Sequence, residues 1–248
     1  MNINPVALTI GNLKIYWYGI SYVVGFYCAW KVCSKLLLRN CWMSERHLES
    51  LVSWTVSGVI LGGRLGYCLL YDFEKTCTNL SSIFEVWKGG MSFHGALIGV
   101  LVSTFFFSKK YKIPLFHLSD LIATTAPLGI AFGRIGNFIN QEHYGKETNL
   151  PWGVVFEKID LLKRHPSQLY EALLEGLIPF LVCYFLYNKL FRKKGKLTGV
   201  FLTFYALARY LIEFVRVPDG YIGWFTMGQF FSLPMLLIGL ILLFKKNH

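Results

Sequence analysis

Residues 133–145 read GRIGNFINQEHYG and follow directly on the apolar run LIATTAPLGIAF (121–132). An arginine, two asparagines, a glutamine and a glutamate at the end of an oily segment suit the binding of an anion. A guanidinium matches phosphate or carboxylate oxygens two at a time, and asparagine adds neutral hydrogen bonds. On a helix Arg134, Asn137 and Gln141 line one face and leave Ile135, Phe138 and Ile139 on another. Two further segments repeat the device. In FLTFYALARYLIEFVRVPD (201–219), Tyr205, Arg209, Glu213 and Arg216 share one face roughly 80° wide; in GGRLGYCLLYD (62–72), Arg64, Tyr67, Tyr71 and Asp72 fall within about 140°. All three sets approach the same end of their apolar segments. The expectation is one polar pocket near the outer leaflet of a membrane, where the natural anion is a phospholipid head group.

A proton-transfer candidate stands apart from these sets. His94, in GGMSFHGALIG (89–99), opens another apolar segment between glycines, and histidine exchanges a proton near neutral pH. Ser92 is a conceivable nucleophile, but no GxSxG surrounds it. Neither HExxH, a P-loop nor GxGxxG behind a strand occurs. A charge at the centre of a membrane helix costs roughly 2.5–3.5 kcal/mol. Arg64, Asp120, Arg134, Glu171, Glu175, Arg209 and Glu213 are therefore either structural ion pairs or a functional set, and as a group they favour function.

The elements that must hold these residues follow from composition. Of 248 residues 54% are hydrophobic and only 16% charged, against roughly 25% charged in a soluble domain. The apolar residues form seven candidate spans, roughly 15–38, 50–72, 91–108, 118–134, 168–188, 198–215 and 227–244. The expected fold class is all-α: a polytopic integral membrane protein of about seven transmembrane helices, one catalytic domain over 1–248. Its long segment 135–167 should form a small outer-face cap. Lys and Arg crowd 31–49, 109–112, 189–196 and 245–246, opposed only by Glu45 and Glu49, whereas the other loops mix both signs. That bias puts the N-terminus outside and the C-terminus in the cytoplasm, and makes the +11 net charge a topology signal, not a nucleic-acid one. The N-terminus lacks the pattern of a signal peptide. Six cysteines without paired spacing give neither a disulfide framework nor a zinc site. Gly58/Gly62/Gly66, Gly95/Gly99 and Gly129/Gly133, each four apart, suit close helix packing.

GRIGNFINQEHYG resembles the signature G-R-x-G-N-F-x-N-x-E-x-x-G of the prolipoprotein diacylglyceryl transferases of bacterial inner membranes. WYG (17–19), GGRLGY (62–67), GGMSFHG (89–95), RHPSQLYEALLEG (164–176) and RYLIEFVRVPDG (209–220) are similar to that family's blocks, in the same order. The resemblance implies a multi-pass inner-membrane enzyme acting at the first step of lipoprotein maturation. It would move the diacylglyceryl group of phosphatidylglycerol onto the lipobox cysteine thiol of a prolipoprotein signal peptide and release glycerol phosphate. It implies His94, Arg134, Arg209 and Tyr18 as catalytic residues, and Arg134, Asn137, Asn140, Glu142, Gly145, Tyr205 and Glu213 as substrate-binding residues. No metal or other cofactor is expected, because arginines stand where a metal would. A thiol of pKa near 8.5 needs a base or a cationic setting; His94 and an arginine field both remain open for that role. Rival readings are a transporter or receptor for an anionic amphiphile and, less well matched by the spacing, a phosphatidyl transferase or lipid phosphatase.

Overall fold

The computed structural model describes residues 4–11, 13–40, 42–85 and 89–245. Cys41, Lys88 and Lys246, which the cysteine and charge readings include, lie outside the described residues. The chain is mostly helical, and each of the seven expected segments is helical. They are α1 (Trp17–Asn40), α2 (Glu45–Leu70), α4 (Phe93–Tyr111), α5 (Leu115–Asn140), the rod from α6 (Ser167–Glu171) to α7 (Ile178–Leu190), α8 (Lys196–Ile212) and α9 (Met227–Phe244). A short α3 (Phe73–Thr78) follows α2. Among the described residues three helices are long and apolar enough to cross a membrane: Leu115–Asn140, Ser167–Leu190 and Met227–Phe244.

The expectation of helices alone misses three short antiparallel hairpins. These are β1 (Val6–Ile10) with β2 (Leu13–Tyr16), β3 (Val154–Val155) with β4 (Lys163–Arg164), and β5 (Tyr221–Ile222) with β6 (Phe225–Thr226). The last turns at Gly223, whose φ of +59° suits a residue without Cβ.

Two compact units make up the chain: Ser34–Ser119, and Met1–Cys33 with Asp120–His248. In the first, α2 and α4 meet along their glycines. A Cβ on Gly58 would lie 2.6 Å from the Gly99 carbonyl oxygen, and one on Gly66 would lie 2.7 Å from Gly95 Cα. The four-residue glycine spacing is thus a close backbone contact.

In the second unit, Asp120 explains one of the costly charges. Its buried carboxylate accepts Gly195 N at 2.7 Å, Thr198 N at 2.8 Å and Thr198 Oγ1 at 2.7 Å. It caps the start of α8, where backbone N–H groups have no helical partner. The rod opens into a π-helical stretch over Ala172–Leu177. There Gly176 comes so near α5 that a Cβ would lie 2.7 Å from Ala131 Cβ. The connection after α5 is folded: Phe156 is fully buried against Phe138 and Tyr144, and Gly145 bridges to Arg216.

Candidate functional site

Six charged residues from α5, the rod and the end of α8 converge in the second unit. Glu171, on the last turn of α6, is wholly buried and touches three guanidiniums. Its Oε2 lies 2.8 Å from Arg134 Nε, and its Oε1 lies 3.2 Å from Arg209 Nη1 and 3.1 Å from Arg216 Nε. The first and last of these lie off the N–H direction and are ion contacts, not directed hydrogen bonds. Glu175, four residues on and equally buried, lies 3.4 Å from Arg134 Nη2 and 3.6 Å from Arg209 Nη1. Glu213 caps α8 and lies 2.7 Å from Arg209 Nη2 and 3.4 Å from Arg216 Nη1. Three buried carboxylates thus face three arginines, a pairing that offsets the cost of keeping these charges out of water.

Exposure separates the arginines. Arg216 is 2% exposed, whereas Arg134 and Arg209 keep 20% and 13% of their side-chain surface. Arg134 Nη1 and Arg209 Nε make none of the contacts above. Tyr205, one turn before Arg209, interacts electrostatically with Glu175, Arg134 and Arg209. Arg134, Arg209, Tyr205 and Glu213 therefore come together as the face angles require.

A second polar set adjoins it at the end of α5. Asn137 Nδ2 donates to Glu142 Oε2 at 3.3 Å, and Asn140 Nδ2 to Glu142 Oε1 at 3.4 Å. Tyr18, in the first turn of α1, hydrogen-bonds Tyr22 at 3.1 Å and interacts with Asn137 and Glu142. Gly136 lets α1 approach, since a Cβ there would sit 2.5 Å from Ser21 Oγ. Gln141 departs from the face that the sequence assigned it. The helix has ended, its φ is +62°, and its buried amide oxygen accepts from Lys158 N at 3.0 Å. Gly145 has a packing reason for being glycine: a Cβ would collide with His165 and approach the Val215 carbonyl within 2.8 Å.

His94 belongs to the other unit. It occupies the first turn of α4, exposed, behind the N-cap Ser92, whose Oγ accepts from Gly95 N at 3.2 Å. That hydrogen bond accounts for Ser92 without nucleophilic chemistry. Arg64, also in this unit, is corrected from anion binder to backbone clamp. It donates to the carbonyls of Ser82 at 2.5 Å, Ile83 at 3.1 Å, Gly89 at 2.6 Å and Gly90 at 3.1 Å, and it is buried. Four of its five donors are thus spent on the segment between α2 and α4.

Sequence reasoning noticed Glu171 and Glu175 as costly charges but gave them no place in the site, and it set Arg216 on the Tyr205–Arg209–Glu213 face without naming it among the binding residues. The signal was there: Glu171 and Glu175 at i, i+4 share a helix face, and clustered arginines need buried counter-charge. His143 was given no role. Its Nδ1 lies 2.8 Å from Arg216 Nη2. Burial, then the Arg216 guanidinium, push this imidazole below its ordinary pKa. Farther out, hydrogen bonds from Arg164 hold the Asp160 carboxyl below the usual range. Among the described residues no cluster of metal-ligating side chains occurs. What the arrangement offers chemically is a pair of guanidiniums, oriented by buried carboxylates, that can meet a phosphate.

A family model described as Prolipoprotein diacylglyceryl transferase matches residues 5–245. The chain is similar to the phosphatidylglycerol--prolipoprotein diacylglyceryl transferase of Pseudomonas aeruginosa, at 47% identity over 97% of this chain and 92% of that protein. It is 46% identical to the protein of the same name from Pseudomonas fluorescens, over 99% of this chain and 94% of the other. The Pseudomonas putida protein of that name is 48% identical over 96% and 92%.

Proposed function

Because the chain belongs to the prolipoprotein diacylglyceryl transferase family, we infer that it is an integral membrane transferase that moves the diacylglyceryl group of phosphatidylglycerol to a prolipoprotein. The acceptor is the lipobox cysteine thiol, and the step is the first in lipoprotein maturation. The enzyme sits in the bacterial inner membrane as one catalytic domain of seven spans, with its N-terminus outside, its C-terminus cytoplasmic and 135–167 on the outer face. The Lys and Arg bias of the loops supports that orientation.

The observation that carries the reading is the Arg134–Glu171–Arg209 arrangement: two partly accessible guanidiniums anchored on one buried carboxylate. In the reaction the cysteine thiolate attacks the glycerol carbon that bears the phosphate ester. The C–S bond forms, the C–O bond breaks, and glycerol phosphate leaves with the electron pair. Negative charge grows on the departing phosphate, so donors fixed beforehand stabilise the transition state more than the ground state. Glu171, Glu175 and Glu213 fix them. Tyr205, Asn137, Asn140 and Glu142 bind the polar part of the substrates, and Tyr18 serves beside them. His94 takes the thiol proton.

The test is mass spectrometry of a lipobox peptide incubated with membranes that contain the protein and phosphatidylglycerol. The peptide should gain one diacylglyceryl group on cysteine. An unchanged peptide would leave a binder or transporter of anionic lipid in its place. Comparable rates with phosphatidylethanolamine would remove the anionic-donor reading.

A further inference from the structure

His143 is the third residue beyond α5, in left-handed backbone with φ +54°. Its carbonyl accepts from Ser167 Oγ at 2.9 Å, which ties it to the start of α6. Its Nδ1 stands 2.8 Å from Arg216 Nη2. A guanidinium has donors only, so Nδ1 must be the acceptor, and the imidazole is neutral with its proton on Nε2.

Arg216 is the guanidinium that decides what this contact does. Its Nε lies against Glu171, the carboxylate shared by Arg134 and Arg209, and its Nη1 reaches Glu213, which holds Arg209. Its other partner is Asp219, 2.9 Å from Nη1 and 3.2 Å from Nη2, on a side chain 57% exposed. Asp219 and His143, the latter 44% exposed, meet the outer side of the fork; Glu171 and Glu213 hold its inner side. We propose that His143 is a positioning residue: its neutral Nδ1 accepts the Arg216 Nη2–H and so keeps Arg216 on Glu171 and Glu213, and protonation of His143 releases it. For its rate readout this rests on the transferase reading.

The charged groups facing His143 are Arg216, Arg134, Asp219 and Glu171. Asp219 Oδ1, at 3.8 Å, and Glu171 favour the imidazolium. Burial and the two arginines oppose it more strongly, so the acceptor persists at neutral pH and is lost on the acid side. An imidazolium would set one donor against another at 2.8 Å.

Two variants separate this from a merely structural role. In His143→Asn the Oδ1 stands where Nδ1 stood, accepts the same hydrogen, and takes no proton in this range. Asparagine also tolerates left-handed backbone. His143→Leu offers no acceptor. Transfer from phosphatidylglycerol to a lipobox peptide would be measured between about pH 5 and pH 8. Leucine should lower kcat about tenfold, with KM changed less than about threefold. Asparagine should restore kcat to within about threefold at neutral pH and make its fall on the acid side less steep than in the wild type. The ¹⁵N signals of histidine-labelled protein, assigned by their loss in His143→Asn, should show the Nε2–H tautomer at neutral pH. Full activity in the leucine variant, asparagine as poor as leucine, an unaltered acid limb, or the Nδ1–H tautomer would each overturn the proposal. An inactive wild type would overturn the transferase reading instead, and the tautomer would then decide the hydrogen bond by itself.

Discussion

Glu171→Gln is the sharpest test of the buried cluster. The substitution keeps shape and removes one charge. In the wild type that charge sits 2.8 Å from Arg134, 3.2 Å from Arg209 and 3.1 Å from Arg216, on a fully buried side chain. Without it three guanidiniums share Glu175 and Glu213, with Asp219 on the exposed side. Breaking a buried ion pair costs about 3–5 kcal/mol. Glu175 already lies 3.4 Å from Arg134 and 3.6 Å from Arg209 and takes up part of the loss, so the lower end, about 3 kcal/mol, applies. In a chain of this size that corresponds to a fall in Tm of about 6–12 °C. The assay is thermal unfolding of the detergent-solubilised protein followed by tryptophan fluorescence, with and without phosphatidylglycerol. The lipid should stabilise the variant more than the wild type, because its phosphate restores charge balance. Turnover should drop about 10²-fold, the scale of one lost preorganised charge contact. A Tm within about 2 °C of the wild type, with turnover within about threefold, would refute the claim that Glu171 anchors the arginines.

Arg134→Lys and Arg209→Lys keep the charge but lose the fork that reaches two carboxylates at once. Each should lose about 10²-fold in turnover and much less in lipid binding, and a lysine variant with near-normal turnover returns that arginine to a structural ion pair. His94→Ala should abolish transfer in a protein that still folds, whereas nearly full activity in His94→Asn would replace proton transfer with a structural hydrogen bond. Gly62→Leu should prevent α2 and α4 from closing and lower the yield of folded protein, since even a Cβ would collide with the Gly95 carbonyl. Gly129→Ala, with no atom within 4 Å of its Cβ, should leave the yield unchanged as measured by size-exclusion chromatography.

Much of the helix framework was legible, because long apolar runs in a weakly charged chain leave few alternatives. The expected segment 227–244 coincides with Met227–Phe244, and 168–188 lies within Ser167–Leu190. The segment 118–134 fell short. The helix runs on to Asn140, because Arg134 and Asn137 find carboxylates on Glu171, Glu175 and Glu142 and need not leave it. A hydropathy reading stops where polar residues begin; it does not see partners that arrive from another helix. The same blindness hid the hairpins, whose strands are two residues long in four cases of six and carry no alternation to detect.

The arginines show where pattern ends and geometry begins. Arg64 and Arg209 looked alike in sequence, each on a helix among tyrosines and one acid. An arginine's role depends on where its five donors are spent. Arg64 gives four to backbone carbonyls that no side-chain pattern records, and it is buried. Arg216 is consumed by two glutamates, an aspartate and His143. Arg134 and Arg209 are held along one side by carboxylates that cannot retreat into water and are left open on another. Burial of Glu171 and Glu175 is therefore what fixes the arrangement of the two guanidiniums. Carboxylates with no solvent to turn to hold the two guanidiniums in place, so on the proposed reading a phosphate that met them would demand little reorganisation.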